Sequence, residues 1–249
     1  MKIFIILKEI ILNQKNLMID AIILVGGLGT RLRKTIPNIP KPLAPINGVP
    51  FLDILIKLLK KNNVNNIILA VGYKSQEFIK KYSNFENIII SEEKKLLGTG
   101  GAVKQAMQFV KSEKVLVLNG DSYIDFSLEN LLNYSRQKNA DGVILCKTII
   151  QNDRFGLINI NNENKILSFD EKKFVKKGLI NVGVYLLKKN IFSIAVFSKI
   201  FSLEKDFFPK LIKNKNIFSL ISTNPFIDIG TKDSFLLAQE KLKALSKKN

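Results

Sequence analysis

The chain alternates between short, almost wholly apolar runs and longer segments whose apolar residues recur every three or four positions. The runs are Ala21–Val25 (AIILV), Ile67–Val71 (IILAV), Asn87–Ile90 (NIII), Lys114–Gly120 (KVLVLNG) and Gly142–Cys146 (GVILC). Continuous apolar, β-branched stretches of this length predict parallel strands buried on both faces. Between them, Pro50 to Lys61 sets Phe51, Ile54, Leu55, Leu58 and Leu59 on one stripe, and Gly100 to Lys111 does the same with Val103, Ala106, Met107 and Val110. That spacing is helical. Ser127 stands where it would cap a helix running through Leu131 and Tyr134. Strands alternating with helices imply right-handed crossovers and an α/β fold, a mostly parallel sheet with helices on both faces.

The second half is patterned differently. FGLINI, KILSF and LINVGVYLL are strand-like runs, and NNEN (Asn161–Asn164) makes a turn between the first two. A mixed sheet added to the parallel core is expected. Leu203 to Ile212 reads as a helix, and NPFIDIG as a last strand. Thr231 would cap a final helix through Leu245, with Asp233 in its first turn. No linker, repeat or low-complexity block divides the chain, so residues 18–249 read as one domain. The first 17 residues, MKIFIILKEIILNQKNL, are apolar but interrupted by Lys8 and Glu9, without the continuous centre of a signal peptide. Met18 is one reading of the true start, with residues 1–17 an extension; a short extra helix or strand is the other.

Composition narrows the chemistry. The chain has 249 residues, 46% of them hydrophobic, which is enough to bury a core. Its formal net charge of +18 would suit nucleic acid, an anionic membrane or a small polyanionic substrate. The lysines come in scattered pairs without a long basic tract, the pattern of a solvated surface, and codon bias in an AT-rich genome would also produce them. There is no histidine, so histidine bases, triads and metal sites are excluded. Cys146 is the single cysteine, which rules out an internal disulfide and a cysteine zinc site, and its place in GVILC predicts a buried thiol. Chemistry must then rest on Asp, Glu, Lys, Arg and backbone N–H groups, with or without a metal. No apolar stretch is long enough to span a membrane. A cytoplasmic protein with neither a membrane nor a nucleic-acid partner is expected; no sequence feature reports oligomeric state.

The first strand breaks into GGLGTRL (Gly26–Leu32), and PKPLAPI follows from Pro40. A strand, a glycine turn and basic residues make a phosphate-binding arrangement, because glycine lets backbone N–H groups approach the anion. Neither common glycine motif fits. The dinucleotide pattern fails at Leu32, and the P-loop fails at Arg31. The alternative is a plain glycine turn.

GGLGTRL followed by PKPL resembles the signature of the sugar-phosphate nucleotidyltransferases, and further elements fall in that family's order from Ile19 to about Ala244. The resemblance implies a three-layer, Rossmann-like nucleotidyltransferase fold with a mostly parallel mixed sheet. It implies that Gly26, Gly27, Gly29, Thr30 and Arg31 hold the phosphates of a nucleoside triphosphate, and that Lys41 holds the phosphates where bonds are made and broken. Pro40 and Pro42 would stiffen the chain around that lysine. LGTGGA looks like the loop for base and ribose, with Gly98, Thr99 and Gly100 in contact with the nucleotide; on its own it is a helix N-terminus with Thr99 near the cap. Asp121 in NGD and Asp228 in FIDIGT would bind Mg²⁺. RFG, FDEK and INVGVY are similar to the elements for the sugar phosphate. They assign Gly156, Glu171, Lys172 and Asn181 to that substrate, with Lys172 aligning the nucleophile. Two positions depart from the pattern: Lys173 where a proline often stands, and Val182 where a smaller or hydroxylated residue is commoner.

The implied reaction joins NTP and a sugar 1-phosphate into an NDP-sugar and pyrophosphate, with Arg31, Lys41, Asp121 and Lys172 as the catalytic set. Among short members, the chain is most similar to the D-glycero-D-manno-heptose 1-phosphate guanylyltransferases, which implies GTP as donor and GDP-heptose for surface polysaccharide or glycoprotein. Mannose 1-phosphate guanylyltransfer, and uridylyl-, thymidylyl- or cytidylyltransfer to a hexose 1-phosphate, are the alternatives within the family. Outside it stand a glycosyltransferase, whose D-x-D motif would fall where this chain reads DSY, a non-catalytic sugar-nucleotide sensor, and a nucleic-acid binder.

Overall fold

A computed structural model describes residues 19–29, 32, 36–152, 154–170, 174–193 and 197–245. The proposed extension at residues 1–17 lies outside them. The chain begins with β1 (Asp20–Leu24), a small hairpin of β2 (Pro45–Ile46) and β3 (Val49–Pro50), and helix α1 (Phe51–Lys61). It continues through β4 (Ile67–Val71), α2 (Ser75–Tyr82), β5 (Ile88–Glu92), α3 (Gly98–Ala106) and β6 (Lys114–Asn119). Strands β1, β4, β5 and β6 are parallel and ordered β5-β4-β1-β6. The chain thus winds outward from β1 to β5 and then returns to the other side of β1. The gap between β1 and β6 is the switch point where open α/β sheets bind ligands.

Alternation along β1 sorts the core into two layers. Ala21, Ile23 and Val25 pack with Phe51, Leu55 and Leu59 of α1, and with Leu131 of α4 (Leu128–Gln137). Ile22 faces the opposite layer, with Ala102, Val103 and Ala106 of α3. Helices therefore cover both faces. Ser127 caps α4 as its position suggests, its side chain accepting from the Asn130 N–H.

The second half completes the sheet with β8 (Gly142–Asn152), β9 (Leu157–Ile160), β10 (Ile166–Asp170), β11 (Val175–Lys188) and β12 (Ile217–Ile221). β11 lies antiparallel to β6. GVILC opens β8, which is antiparallel to β11 and parallel only to β12. Its apolar run reports burial on both faces, not strand direction. A bulge interrupts β11 between Asn181 and Tyr185, where Gly183 adopts φ +79°. The region predicted as a helix from Leu203 is a π-turn over Leu203–Phe207 followed by the short α5 (Phe208–Leu211). FID of NPFIDIG forms β13 (Phe226–Asp228), but outside the main sheet, paired with β7 (Ser122–Ile124). Helix α6 (Lys232–Lys241) is capped by Thr231 in a reciprocal bond with Ser234. It ends before the predicted Leu245, because the chain turns at Leu242 to return both leucines to the core. The thiol of Cys146 is buried, and burial pushes its pKa up to about 12, so it is an inert core group.

Candidate functional site

The C-terminal ends of the four parallel strands converge. β1 delivers the glycine loop, β4 delivers Gly72, β5 delivers Glu93, and β6 delivers Asn119 and Asp121. Three clefts follow along this edge, of about 180, 220 and 510 Å³.

The central cleft lies at the switch point. Gly27, Gly29, Lys41, Gly120, Asp121 and Gly230 line it. Gly29 has φ +59°, and a Cβ there would stand 3.2 Å from Cβ of Lys41. Glycine is thus required both by conformation and by the lysine segment lying over it. Lys41 opens a 3₁₀ turn (Lys41–Leu43) between Pro40 and Pro42, and its side chain is mostly buried and reaches the Asp121 carboxylate. Gly120 permits the closest strand contact: a Cβ there would stand 2.4 Å from the Leu24 carbonyl oxygen, which accepts the Gly120 N–H at 2.9 Å. Gly120→Ala is expected to pry β6 from β1, costing about 2 kcal/mol and lowering Tm by about 4–8 °C. An unchanged melting curve would contradict this packing.

The two predicted metal carboxylates are brought together by the β7–β13 ladder, in which Ser122 pairs with Asp228. The Ile229 N–H donates to the Asp121 carbonyl at 2.9 Å, locking the two strand ends side by side. Asp228 accepts from Arg154 Nη2 at 2.8 Å and from the Gly230 N–H at 2.9 Å. A Cβ on Gly230 would stand 2.6 Å from Asp228 Oδ2 and 3.5 Å from Lys41 Nζ. Asp121 lines the central cleft and Asp228 the widest one, and each carboxylate faces a cation. Among the described residues, no three acidic, histidine or cysteine side chains cluster to hold a metal by themselves. Two hard carboxylates suit Mg²⁺ when phosphate oxygens and water complete its shell. The donor set fits that ion.

The smallest cleft lies between the glycine loop and the start of α3, lined by Gly26, Gly27, Leu28, Glu93, Leu96, Gly98 and Thr99. Leu97 is the N-cap, and Thr99 lies in the first turn, near the cap as its place in the sequence suggests. Its hydroxyl donates to Glu204 at 3.0 Å and accepts from the Leu203 N–H at 2.8 Å. The Gly100 and Gly101 N–H groups point to the Phe201 carbonyl, at 2.9 and 3.3 Å. A Cβ on Gly100 would stand 2.3 Å from the Phe201 ring. Glycine at position 100 is thus fixed by its packing against Phe201.

The widest cleft holds Asn119, Arg154, Gly156, Asn181, Glu204 and Asp228 among its lining. A Cβ on Gly156 would stand 2.8 Å from the Asp170 carbonyl, so glycine is fixed there by the β9–β10 pairing. Asn181 is held at the bulge, accepting from the Gly183 N–H at 2.8 Å and donating to the Tyr185 hydroxyl at 2.7 Å. Val182 points away into the core, so its departure from the family pattern does not reach this cleft. Asn119 Oδ1 is buried without a partner among the described atoms. Thr30, Arg31, Glu171 and Lys172 lie outside the described residues. Arg154, Asn119, Glu93 and Glu204 line the clefts but were not singled out from the sequence. Arg154 was legible in RFG, where only the glycine drew attention.

The match to a family model described as nucleotidyl transferase covers residues 20–244. The chain is 43% identical over 221 residues to a D-glycero-α-D-manno-heptose 1-phosphate guanylyltransferase of Campylobacter jejuni, covering 87% of this chain and 96% of the relative. A protein of the same name from Aneurinibacillus thermoaerophilus is 38% identical, covering 90% and 98%. The crystal structure of HddC from Yersinia pseudotuberculosis complexed with GMP-PN superposes with a TM-score of 0.80 at 34% identity, over 90% of this chain and all of that one.

Proposed function

The chain belongs to the nucleotidyl transferase family, and from that premise we propose that it transfers GMP from GTP to D-glycero-α-D-manno-heptose 1-phosphate, giving GDP-heptose and pyrophosphate. The observation that carries this reading is the 43% identity to a heptose 1-phosphate guanylyltransferase over nearly the whole of both chains. The GMP-PN complex of the Yersinia protein supports a guanine nucleotide as donor.

In the reaction, an oxygen of the sugar phosphate attacks the α-phosphorus in line. The bond from that phosphorus to the bridging oxygen breaks, and its electron pair leaves with pyrophosphate. The nucleophile is ionised at neutral pH, so no general base is needed, in keeping with a chain that has no histidine. Catalysis then consists of positioning and charge neutralisation. Gly26, Gly27 and Gly29 would receive the triphosphate against backbone, with Thr30 and Arg31 holding its leaving end. Lys41 would neutralise the transferred phosphate. Mg²⁺, when bound, would neutralise phosphate oxygens and hold them in line. Asp121 and Asp228 would ligate it, and their present partners Lys41 and Arg154 would turn to phosphate. Gly156, Glu171 and Asn181 would meet the sugar, and Lys172 its phosphate. No helix among the described residues is long and apolar enough to cross a membrane. We place the enzyme in the cytoplasm, supplying surface polysaccharide or glycoprotein synthesis.

The test pairs GTP, UTP, dTTP, CTP and ATP with heptose, mannose and glucose 1-phosphates, in the presence of Mg²⁺ and inorganic pyrophosphatase. Phosphate release only with GTP and the heptose phosphate is expected. Preference for another pair would replace the substrates, and no release with folded protein would refute the reaction.

A further inference from the structure

We propose that Gln239 is a positioning residue for the transfer: from the last turn of α6 it holds the β2–β3 hairpin, and through the hairpin it sets Lys41 at the reacting phosphate. The inference rests on the nucleotidyltransfer reading above. It adds to that reading a residue that lines none of the three clefts.

The side-chain amide of Gln239 bridges two main-chain groups of the hairpin. Its Oε1 accepts the Asn47 N–H at 2.7 Å, and its Nε2 donates to the Pro45 carbonyl at 2.8 Å. In return, Asn47 Nδ2 donates to the Gln239 carbonyl at 2.7 Å. Carbonyls in the last turn of a helix lack partners within it, so this third bond also serves α6. The hairpin itself is stiff. Asn47 and Gly48 form a two-residue turn with both residues at positive φ, +49° and +82°. The turn pairs Pro45 with Pro50 and Ile46 with Val49. Ile46 is fully buried, in the same core layer as Phe235 and Ala238 of α6. Apolar packing is non-directional and seats the hairpin near α6. The three hydrogen bonds fix its angle and register.

Both clamped segments lead to the central cleft. Only the 3₁₀ turn and Ala44 separate Lys41 from the hairpin. On the other side, Asp228 and Gly230 lie just before the Thr231 cap of α6. The two segments meet again at the cleft, where a Cβ on Gly230 would stand 3.5 Å from Lys41 Nζ. One end of the pair thus carries the proposed reacting groups, and Gln239 ties the other. Lysine is a point charge on a flexible stem, so its ammonium depends on where its backbone starts. A displacement of about 1 Å transmitted from outside a site can cost about 10²-fold in rate.

The amide is suited to this clamp because it offers a donor and an acceptor side by side. A carboxylate would accept the Asn47 N–H but oppose the Pro45 carbonyl. A protonated carboxyl again offers both.

The experiment measures kcat, both KM values and Tm for wild type, Gln239→Ala, Gln239→Glu, Lys41→Ala and the Lys41→Ala/Gln239→Ala double variant. Each uses the nucleotide and sugar phosphate that the wild type accepts. In Gln239→Ala, kcat should fall by about 10-fold with both KM values within about twofold, the pattern of a loss felt in the transition state. The Gln239 side chain is partly exposed, so Tm should move by no more than a few degrees. On the Lys41→Ala background the same substitution should cause no further loss, because Gln239 acts through Lys41. Gln239→Glu should be impaired at about pH 8 and recover relative to wild type towards about pH 5, as its carboxyl takes up a proton. A residue that only stabilised the fold would lower Tm, leave kcat of the folded enzyme unchanged and give a flat pH ratio. Unchanged kcat in Gln239→Ala, or an equal further loss on the Lys41→Ala background, would overturn the proposal. If the reaction assignment is wrong, wild type turns over no substrate pair and this inference falls with it. If Gln239 alone is wrongly assigned, wild type turns over and Gln239→Ala matches its kcat.

Discussion

Replacing Lys41 with alanine is expected to lower kcat/KM by about 10³-fold while leaving the fold intact, because the lysine's proposed task is charge neutralisation at the reacting phosphates. The geometry makes this substitution a clean one. Alanine retains the Cβ that lies over Gly29, and the 3₁₀ turn is held by Pro40, Pro42 and the Ala44 N–H bond to the Lys41 carbonyl, not by the lysine side chain. Asp121 loses its partner, but its side chain is 42% exposed and can be solvated by water. The thermal transition should therefore stay within a few degrees of wild type. Phosphate release over a range of GTP concentrations, from well below KM upward, is the measurement, with calorimetry as the control for folding. Activity within tenfold of wild type would remove Lys41 from the reaction centre.

Asp121→Asn should be comparably damaging, and its dependence on metal should show why. Asparagine keeps the shape and the backbone contact to Ile229 but loses the negative charge that a divalent cation requires. Turnover at ordinary Mg²⁺ is expected to fall by about 10³-fold, with part of the loss recovered as Mg²⁺ is raised, since phosphate oxygens and Asp228 remain as ligands. Chelation of the metal should abolish activity in wild type altogether. A variant whose metal titration coincides with that of wild type would exclude Asp121 as a ligand. Lys41 and Arg154 stand against the two carboxylates. By the proposed mechanism, the same two cations would serve phosphate when Asp121 and Asp228 hold the metal.

Long, periodic elements were legible from the sequence. The five apolar runs all lie in strands, and α1 matches its predicted stripe, because burial on a defined face imposes a visible pattern. Short elements were not. β7 and β13 have three residues each, too few to show a period, yet their pairing is what joins the two carboxylates proposed to bind the metal. Helix α2 escaped because SQEFIKKY buries only Phe78 and Tyr82. The site divided in the same way. Gly29, Lys41, Asp121 and Asp228 stand in motifs, and the structure brings those motifs to one edge of the sheet. Glu93 lies in a short polar run, EEKK, and its approach to Gly26 of the glycine loop is set by the fold, not by any local pattern. The role of Phe201 and Glu204 in holding the start of α3 is set by a contact across about a hundred residues, which no local pattern records.

The ladder that joins β7 to β13 also bears on how the chain is made. Emerging from the ribosome, the protein can pair β1, β4, β5 and β6 early and display the glycine loop, Lys41 and Asp121 well before Asp228 has been translated. A nascent chain or a truncated product that stops at β12 would carry the sheet and half of the proposed metal site. By the proposed mechanism it would be unable to turn over nucleotide, so activity arrives only when β13 closes on β7, close to the end of synthesis.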